Sequence, residues 1–315
     1  MTTNYAQPGV YPGISMQAYL AIPAVSASTV TTLLDECPFA AWFGSPFNPN
    51  PPSAPGDSEE SDVGSIAHDV LLEGNTGLVE VIDPLLHLTE KTGNIPIGWG
   101  NKSIKAARDY AREQGKIPIL KPKWTKIEAM VVAATSFIAS LRTTESAIFA
   151  AFTPDGGQSE LTIVWEDASA GVLCKGRVDR IDSGRHVIIN YKTTSASVNP
   201  ERYGRRQLLD YFVGGAFYVR GAQACFGVEP AHVYLCQEQA PPHLCSLVGL
   251  DPAWLDLGNQ KVKAALREWQ QCAADGVWPG YPSRVAYPEL PPWEQTRWDE
   301  RTVLTRDGVD YASQA

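Results

Sequence analysis

The chain has 315 residues, 44% of them hydrophobic and 19% charged, with 26 Lys+Arg against 35 Asp+Glu for a net charge of −9. That supplies a packed core of ordinary size and excludes a disordered, collagen-like or coiled-coil chain. No run approaches the roughly 20 apolar residues of a membrane helix, the N-terminus lacks a signal-like apolar core, and the acidic balance argues against gripping nucleic acid over the whole surface, so the sequence predicts a soluble, cytoplasmic protein.

In chain order, Ser26-Ala-Ser28-Thr29 caps a helix that carries Val30, Leu33 and Leu34 and closes near Cys37-Pro38. Phe39, Trp42 and Phe43 then predict a packed corner, and the proline- and acid-rich stretch 45–62 reads as a loop without regular structure. A short helix is expected over 63–73, with Ile66, Val70, Leu71 and Leu72 as its apolar face and His68 as its polar inward candidate. Residues 101–115 and 126–142 are the two best helical segments. From 158 the texture changes: Leu161, Ile163 and Trp165 alternate with Thr162 and Val164, a turn at 168–171 leads to an extended run over 172–181, and a turn at 183–184 to a third strand over 186–193, an antiparallel meander. A long helix over 205–226, a strand over 231–237 and a helix over 252–274 complete an α/β core in which helices pack on a mixed central sheet. The whole is read as a single domain, with a C-terminal extension over 281–315 in which Pro, Trp and charge alternate.

The six cysteines contain no C-x-x-C pair, and the nearest two are Cys236 and Cys245. They read as reduced, mostly buried side chains, with neither a disulfide framework nor an iron–sulfur cluster.

The chemistry concentrates in the second and third strands. Asp179 lies in Gly176-Arg-Val-Asp-Arg, and the neighbouring strand carries Asn190-Tyr191-Lys192. A tight turn between antiparallel strands is expected to bring these positions side by side, with Asn190 and Lys192 on one face. Carboxylate oxygens that hold Mg²⁺ beside a Lys that steadies developing phosphate charge make the pattern of a metal-dependent phosphodiesterase. One feature departs from it, because Asn190 offers only a neutral carbonyl oxygen where a cation site favours a carboxylate.

The run Cys174-Lys-Gly-Arg-Val-Asp179-Arg-Ile-Asp followed by Val187-Ile-Ile-Asn190-Tyr-Lys192-Thr-Thr resembles the restriction-endonuclease-like core of the PD-(D/E)xK nuclease superfamily, and within it the RecE-type (exonuclease VIII) branch of phages and prophages. Gly64-Ser-Ile-Ala-His68 resembles that branch's G-x-x-x-H helix, Gln207-Leu-Leu-Asp-Tyr211 its Q-x-x-x-Y helix, and the segment from Ser26 to Pro38 its N-terminal helix before the DNA channel, so the likeness spans residues 20–240.

The resemblance implies that Asp179 is the bridging ligand of a two-metal Mg²⁺ site, with Mn²⁺ as a substitute. Position 190 would be the second acidic ligand, the Tyr191 backbone carbonyl would complete that shell, and His68 would bind the second metal. Lys192 would contact the scissile phosphate, Gln207 and Tyr211 the DNA end, and Glu160 is a weaker candidate for the metal shell. Between Val172 and Arg220 nine basic residues stand against four acidic ones, which predicts a basic cleft. Arg177, Arg180, Arg202, Arg205, Arg206 and Ser28 are the candidate contacts to the DNA backbone.

The resemblance further implies a 5′-to-3′ exonuclease acting on duplex ends in a bacterial host. It would leave 3′ single-stranded tails for a RecT-like annealing partner and work as a tetrameric ring. Asn190 implies poor metal binding and slow cleavage, as an introduced Asp→Asn change or as the mark of a natural pseudo-enzyme. A catalytically silent DNA-end-binding protein, a sequence-specific endonuclease and a Cas4- or RecB-like processing nuclease are the other readings. The lack of clustered cysteines speaks against the Cas4 type.

Overall fold

The computed structural model describes residues 4–51, 59–74, 76–89 and 92–306, apart from the side chains of residues 59–62, 205–207 and 302–306. It falls into two units, 1–280 and 281–315. Of the second, the described part contains one helix, Pro292–Arg306.

The first unit is built on a six-stranded sheet of spatial order β1-β4-β5-β6-β7-β8. These strands are β1 (Gly9–Tyr11), β4 (Gly157–Asp167), β5 (Val172–Asp182), β6 (Val187–Thr194), β7 (Ala231–Glu238) and β8 (Cys245–Gly249). Every pairing is antiparallel except β6 with β7, whose parallel register requires a crossover. That crossover is α8 (Pro200–Phe226), capped by the Asn199 side chain and started by Pro200, whose missing N–H would be unpaired there in any case. The sheet is therefore mixed and flanked by helices, as the meander and the following helix–strand pattern predict.

Period-two alternation sends the side chains of β6 to opposite faces. Ile188 joins a core made with α2 (Ala27–Asp35), α8 and α9 (Pro252–Asp275), through Val30, Phe212, Phe217, Leu266 and Trp269. Val187, Ile189 and Tyr191 join the opposite core, made with α4 (Glu59–Glu73) and α6 (Lys121–Ser140), through Ile66, Ile127 and Met130. A parallel two-stranded ribbon of β2 (Val79–Ile82) and β3 (Ile117–Leu120) carries α5 (Lys102–Glu113).

Several boundaries differ from expectation. α4 begins at Glu59, inside the segment expected to be unstructured. Within that same segment Ser45 and Asn48 are buried, because the Ser45 hydroxyl donates to the Trp42 carbonyl and the Asn48 amide to that of Phe43. The aromatic corner is a helix, α3 (Pro38–Phe43), with Trp42 stacked on Trp278. The helix expected over 126–142 starts five residues earlier, at Lys121, with Pro122 in its first turn. Two short helices, α1 (Met16–Ala21) and α7 (Ser146–Ala151), also flank the sheet.

Candidate active site

The site begins where the central sheet splits. β5 and β6 pair only at Arg180↔Ile189 and Ile181↔Ile188, after which the ladder stops. Asp179 and Asn190 would form the next pair, and they do not. Instead the Asp179 side chain reaches across the opening, and its Oδ2 accepts the backbone N–H of Tyr191 at 3.0 Å. This corrects the expectation of simple side-by-side strands: a side chain bridges the gap, satisfying an N–H that the parted ladder would leave bare.

β4 opens at the same level. Ser159 pairs with Arg180 and Leu161 with Val178, while Glu160 and Asp179 drop out of the ladder between them. Glu160 lies at φ 50°, a left-handed conformation that costs energy for a residue with a Cβ. The kink turns its carboxylate into the cleft.

His68 arrives from α4. An added Cβ on Gly64, one turn earlier, would lie 2.9 Å from Thr193 Oγ1, so the glycine lets the helix lie against β6. His68 Nε2 is then 3.2 Å from Asp179 Oδ2 and 3.6 Å from Glu160 Oε1, and its Nδ1 is 3.5 Å from Asp69 Oδ1. The donors of His68, Glu160 and Asp179 all lie within 4.8 Å of one another. Glu160 Oε2 is 3.7 Å from Arg177 Nη1, whereas its Oε1 is buried without a hydrogen-bond partner.

These groups shift one another. Burial alone would pull His68 down, but its bonds to Asp179 and Asp69 and the charges of Asp179 and Glu160 outweigh it and raise it to about 10. Burial raises Glu160 to about 7, with Asp179 adding to the rise while His68 and Arg177 oppose it. Burial would also raise Asp179, yet the His68 bond, the Lys192 and His68 charges and the Tyr191 N–H hold its carboxyl below the usual range.

Position 190 behaves differently. Asn190 is 2% exposed and is not among the residues lining the cleft. Its Oδ1 accepts from Nε2 of the fully buried His232 at 3.0 Å, which leaves His232 Nδ1 unpartnered. Burial pushes His232 down to about 3, so the ring is neutral. The expectation that Asn190 shares one open site with Asp179 and Lys192 is corrected: Asp179 and Lys192 line the cleft, and Asn190 is held beneath them by His232. The only signal for His232 was a polar residue in the apolar run of β7.

Lys192 Nζ lies 5.8 Å from the centre of the Tyr211 ring. Tyr211 is half-buried, and its carbonyl accepts from the Tyr234 hydroxyl at 2.7 Å. Gln207, Arg205 and Arg206 lie on α8, with side chains outside the described residues. The Tyr191 hydroxyl bonds to Gln237 on the far side of the sheet from Lys192.

The expected basic cleft is also corrected. Its lining contains Asp69, Glu73, Glu160 and Asp179 against Arg177 and Lys192, with His68 between them. Most of the cations between Val172 and Arg220 whose side chains are described serve the protein itself. Arg177 is 8% exposed and donates to Ile14 O at 2.5 Å, Ser15 O at 3.2 Å and Thr162 Oγ1 at 3.2 Å. Arg180 donates to Ala151 O, Ser159 Oγ and Thr153 O, and Arg220 is paired with Asp167. These guanidinium groups are spent on internal acceptors and are not free for phosphate. Arg202 and Ser28 are exposed, and Ser28 shares a hydrogen bond with Ser26 Oγ.

Lys175 Nζ donates to the carbonyls of Tyr19, Leu20 and Ile22, fastening the C-terminal end of α1, whose Met16 and Tyr19 line the cleft. The resulting cleft is about 1130 Å³.

Residues 53–291 match the family model described as a PDDEXK-like domain of unknown function (DUF3799), and the chain belongs to that family. The fold is that of a PDDEXK-like nuclease. A crystal structure from Eubacterium rectale, named "Putative exonuclease", superposes with TM-score 0.53 at 13% identity and covers 91% of this chain and 99% of its own. SSO0001 covers 64% of this chain and 85% of its own at 12% identity, with a TM-score of 0.24 too low to carry an argument. No curated protein matches.

Proposed function

We propose that this nuclease is a divalent-metal-dependent deoxyribonuclease that degrades linear duplex DNA from its ends. The observation that supports this reading most directly is the convergence of His68, Asp179 and Lys192, from three separate elements, in one cleft of about 1130 Å³.

The donor set fits a hard or borderline divalent cation such as Mg²⁺ or Mn²⁺: an imidazole and a carboxylate face each other at 3.2 Å in an acidic cleft. His68 and Asp179 would hold the cation, which when bound supplies Lewis-acid stabilisation of phosphate charge and a more acidic water. Asp179 is fixed by the Tyr191 N–H, so little reorganisation of its carboxylate is needed. Lys192, against the Tyr211 ring, is a cation available to a phosphate oxygen. The wall of α1 held by Lys175 and Arg177 narrows the approach and positions the strand.

The finer reading rests on the resemblance of Gly64 to His68, of Asp179 to Lys192 and of Gln207 to Tyr211 to the RecE-type branch. It comprises 5′-to-3′ polarity, 3′ tails passed to a RecT-like annealing protein, a tetrameric ring and a phage or prophage origin in a bacterial cytoplasm. The name of the Eubacterium rectale protein supports the exonuclease part of it. End-labelled linear DNA tests the polarity: the 5′ label should be released first.

A second reading, a DNA-end-binding protein that does not cut, is favoured by one observation, the absence of a carboxylate at position 190. It predicts binding of linear DNA with no metal-dependent loss of either strand.

A further inference from the structure

Resting on the nuclease reading, we propose that Glu160, and not position 190, is the second carboxylate of this site, so that the cleft holds one divalent cation on His68, Glu160 and Asp179. Position 190 is closed to that role by two observations. Asn190 brings no charge, and its one good ligand atom, Oδ1, is already taken by the Nε2–H of His232 at 3.0 Å, beneath the floor of the cleft. Residue 190 and His232 are 2% and 1% exposed, so neither turns outward without opening the core.

Glu160 has what position 190 lacks. It is pushed into the cleft by a break in the β4–β5 ladder and by a backbone at φ 50°, a strained arrangement that a residue serving only as sheet filler has no reason to keep. Its Oε1 is buried with no hydrogen-bond partner, although 3.6 Å from His68 Nε2. An orphaned carboxylate oxygen is costly unless something else satisfies it, and a bare cation, smaller than water, fits among donors within 4.8 Å of each other. The other oxygen, Oε2, faces Arg177 at 3.7 Å, which steadies the carboxylate from behind. Among the described residues no second group of three such donors gathers, so one cation replaces the pair that the resemblance implies.

The test is Mn²⁺ binding to the full-length protein by calorimetry and electron paramagnetic resonance, independent of cleavage. Expected are one Mn²⁺ per chain for the unaltered protein and an affinity lowered by about tenfold or more in Glu160→Gln. As a check that does not depend on the folding of Glu160→Gln, the unaltered protein is also loaded with Fe²⁺ and treated with ascorbate and peroxide. Oxidative backbone cuts should cluster at residues 68, 160 and 179. Unchanged affinity in folded Glu160→Gln, cuts that spare residue 160, or an unaltered protein that binds no Mn²⁺ while Asn190→Asp binds it would each overturn the proposal. A protein that binds Mn²⁺ through Glu160 yet leaves linear DNA intact would support the proposal and overturn the nuclease reading on which it rests.

Discussion

The carboxylate of Asp179 holds the backbone N–H of Tyr191 at 3.0 Å at the point where β5 and β6 part, so one side chain both bridges the split in the sheet and faces His68. Asp179→Asn would keep the volume and leave the bridge to a neutral oxygen, while removing the charge that His68 and a cation need. Metal affinity should fall by about a hundredfold or more. The thermal midpoint without metal should change far less than in Asp179→Ala, which leaves the Tyr191 N–H without an acceptor at a cost of about 1–3 kcal/mol. Calorimetry with Mn²⁺ and circular dichroism melts check both.

Metal binding should tighten as pH rises. Without metal His68 is raised to about 10 and Glu160 to about 7, so at neutral pH a cation must displace at least the His68 proton. Apparent Mn²⁺ affinity should climb by up to about a hundredfold per pH unit below pH 7, where both groups give up a proton, and by up to about tenfold per unit from pH 7 to 9. Titrations in buffers of different ionisation enthalpy should show proton release, and their absence would contradict the protonated His68.

Stability without metal should have opposite slopes on the two sides of neutrality. His232 is pushed down to about 3 from an unfolded value of 6.5, so between these values the unfolded chain binds its extra proton and stability falls as pH falls. Glu160, raised from 4.5 to about 7, opposes this above pH 4.5, so the fall shows below that value. His68 is raised to about 10, so its contribution is complete below pH 6.5 and is lost as pH rises towards 10. Denaturant midpoints across this range test both. In His232→Gln the acid-side slope should flatten, and in His68→Gln the alkaline one.

Much of the fold is legible in the sequence because its signals are long and regular. The alternation through Leu161, Ile163 and Trp165 and the stripe through Ile127, Met130 and Ala134 mark β4 and α6 without any tertiary information. β1 and β8 escape because three and five residues are too few to establish a period. The pairing of His68 with Asp179 is implied by motif order alone, whereas two features of the site are set by tertiary structure. The break that turns Glu160 into the cleft leaves no mark in the run Gln158-Ser159-Glu160-Leu161, and the burial of Asn190 depends on His232 arriving from a strand 42 residues away. Charge counts along the chain mislead for a related reason: Lys175, Arg177 and Arg180 satisfy carbonyls that no local pattern reveals.

Gly64 sets how closely α4 approaches β6. Gly64→Ala would place a Cβ 2.9 Å from Thr193 Oγ1, push the helix outward and weaken the His68 contact to Asp179. Overpacking of this kind costs about 1–3 kcal/mol. Adding Thr193→Ala removes the obstructing hydroxyl and should restore both the melting midpoint and Mn²⁺ affinity, a coupling that a double-mutant cycle measures.

The central claim is tested most directly by incubating the unaltered protein with Mg²⁺ and equal amounts of linear and covalently closed circular duplex DNA, with 5′ and 3′ labels on the linear form, alongside Lys192→Ala. The account predicts that the linear DNA is consumed from its ends with early release of the 5′ label, the circle stays intact, and Lys192→Ala loses the activity while remaining folded. Linear DNA that is bound at its ends but never shortened, at any Mg²⁺ or Mn²⁺ concentration, would contradict it.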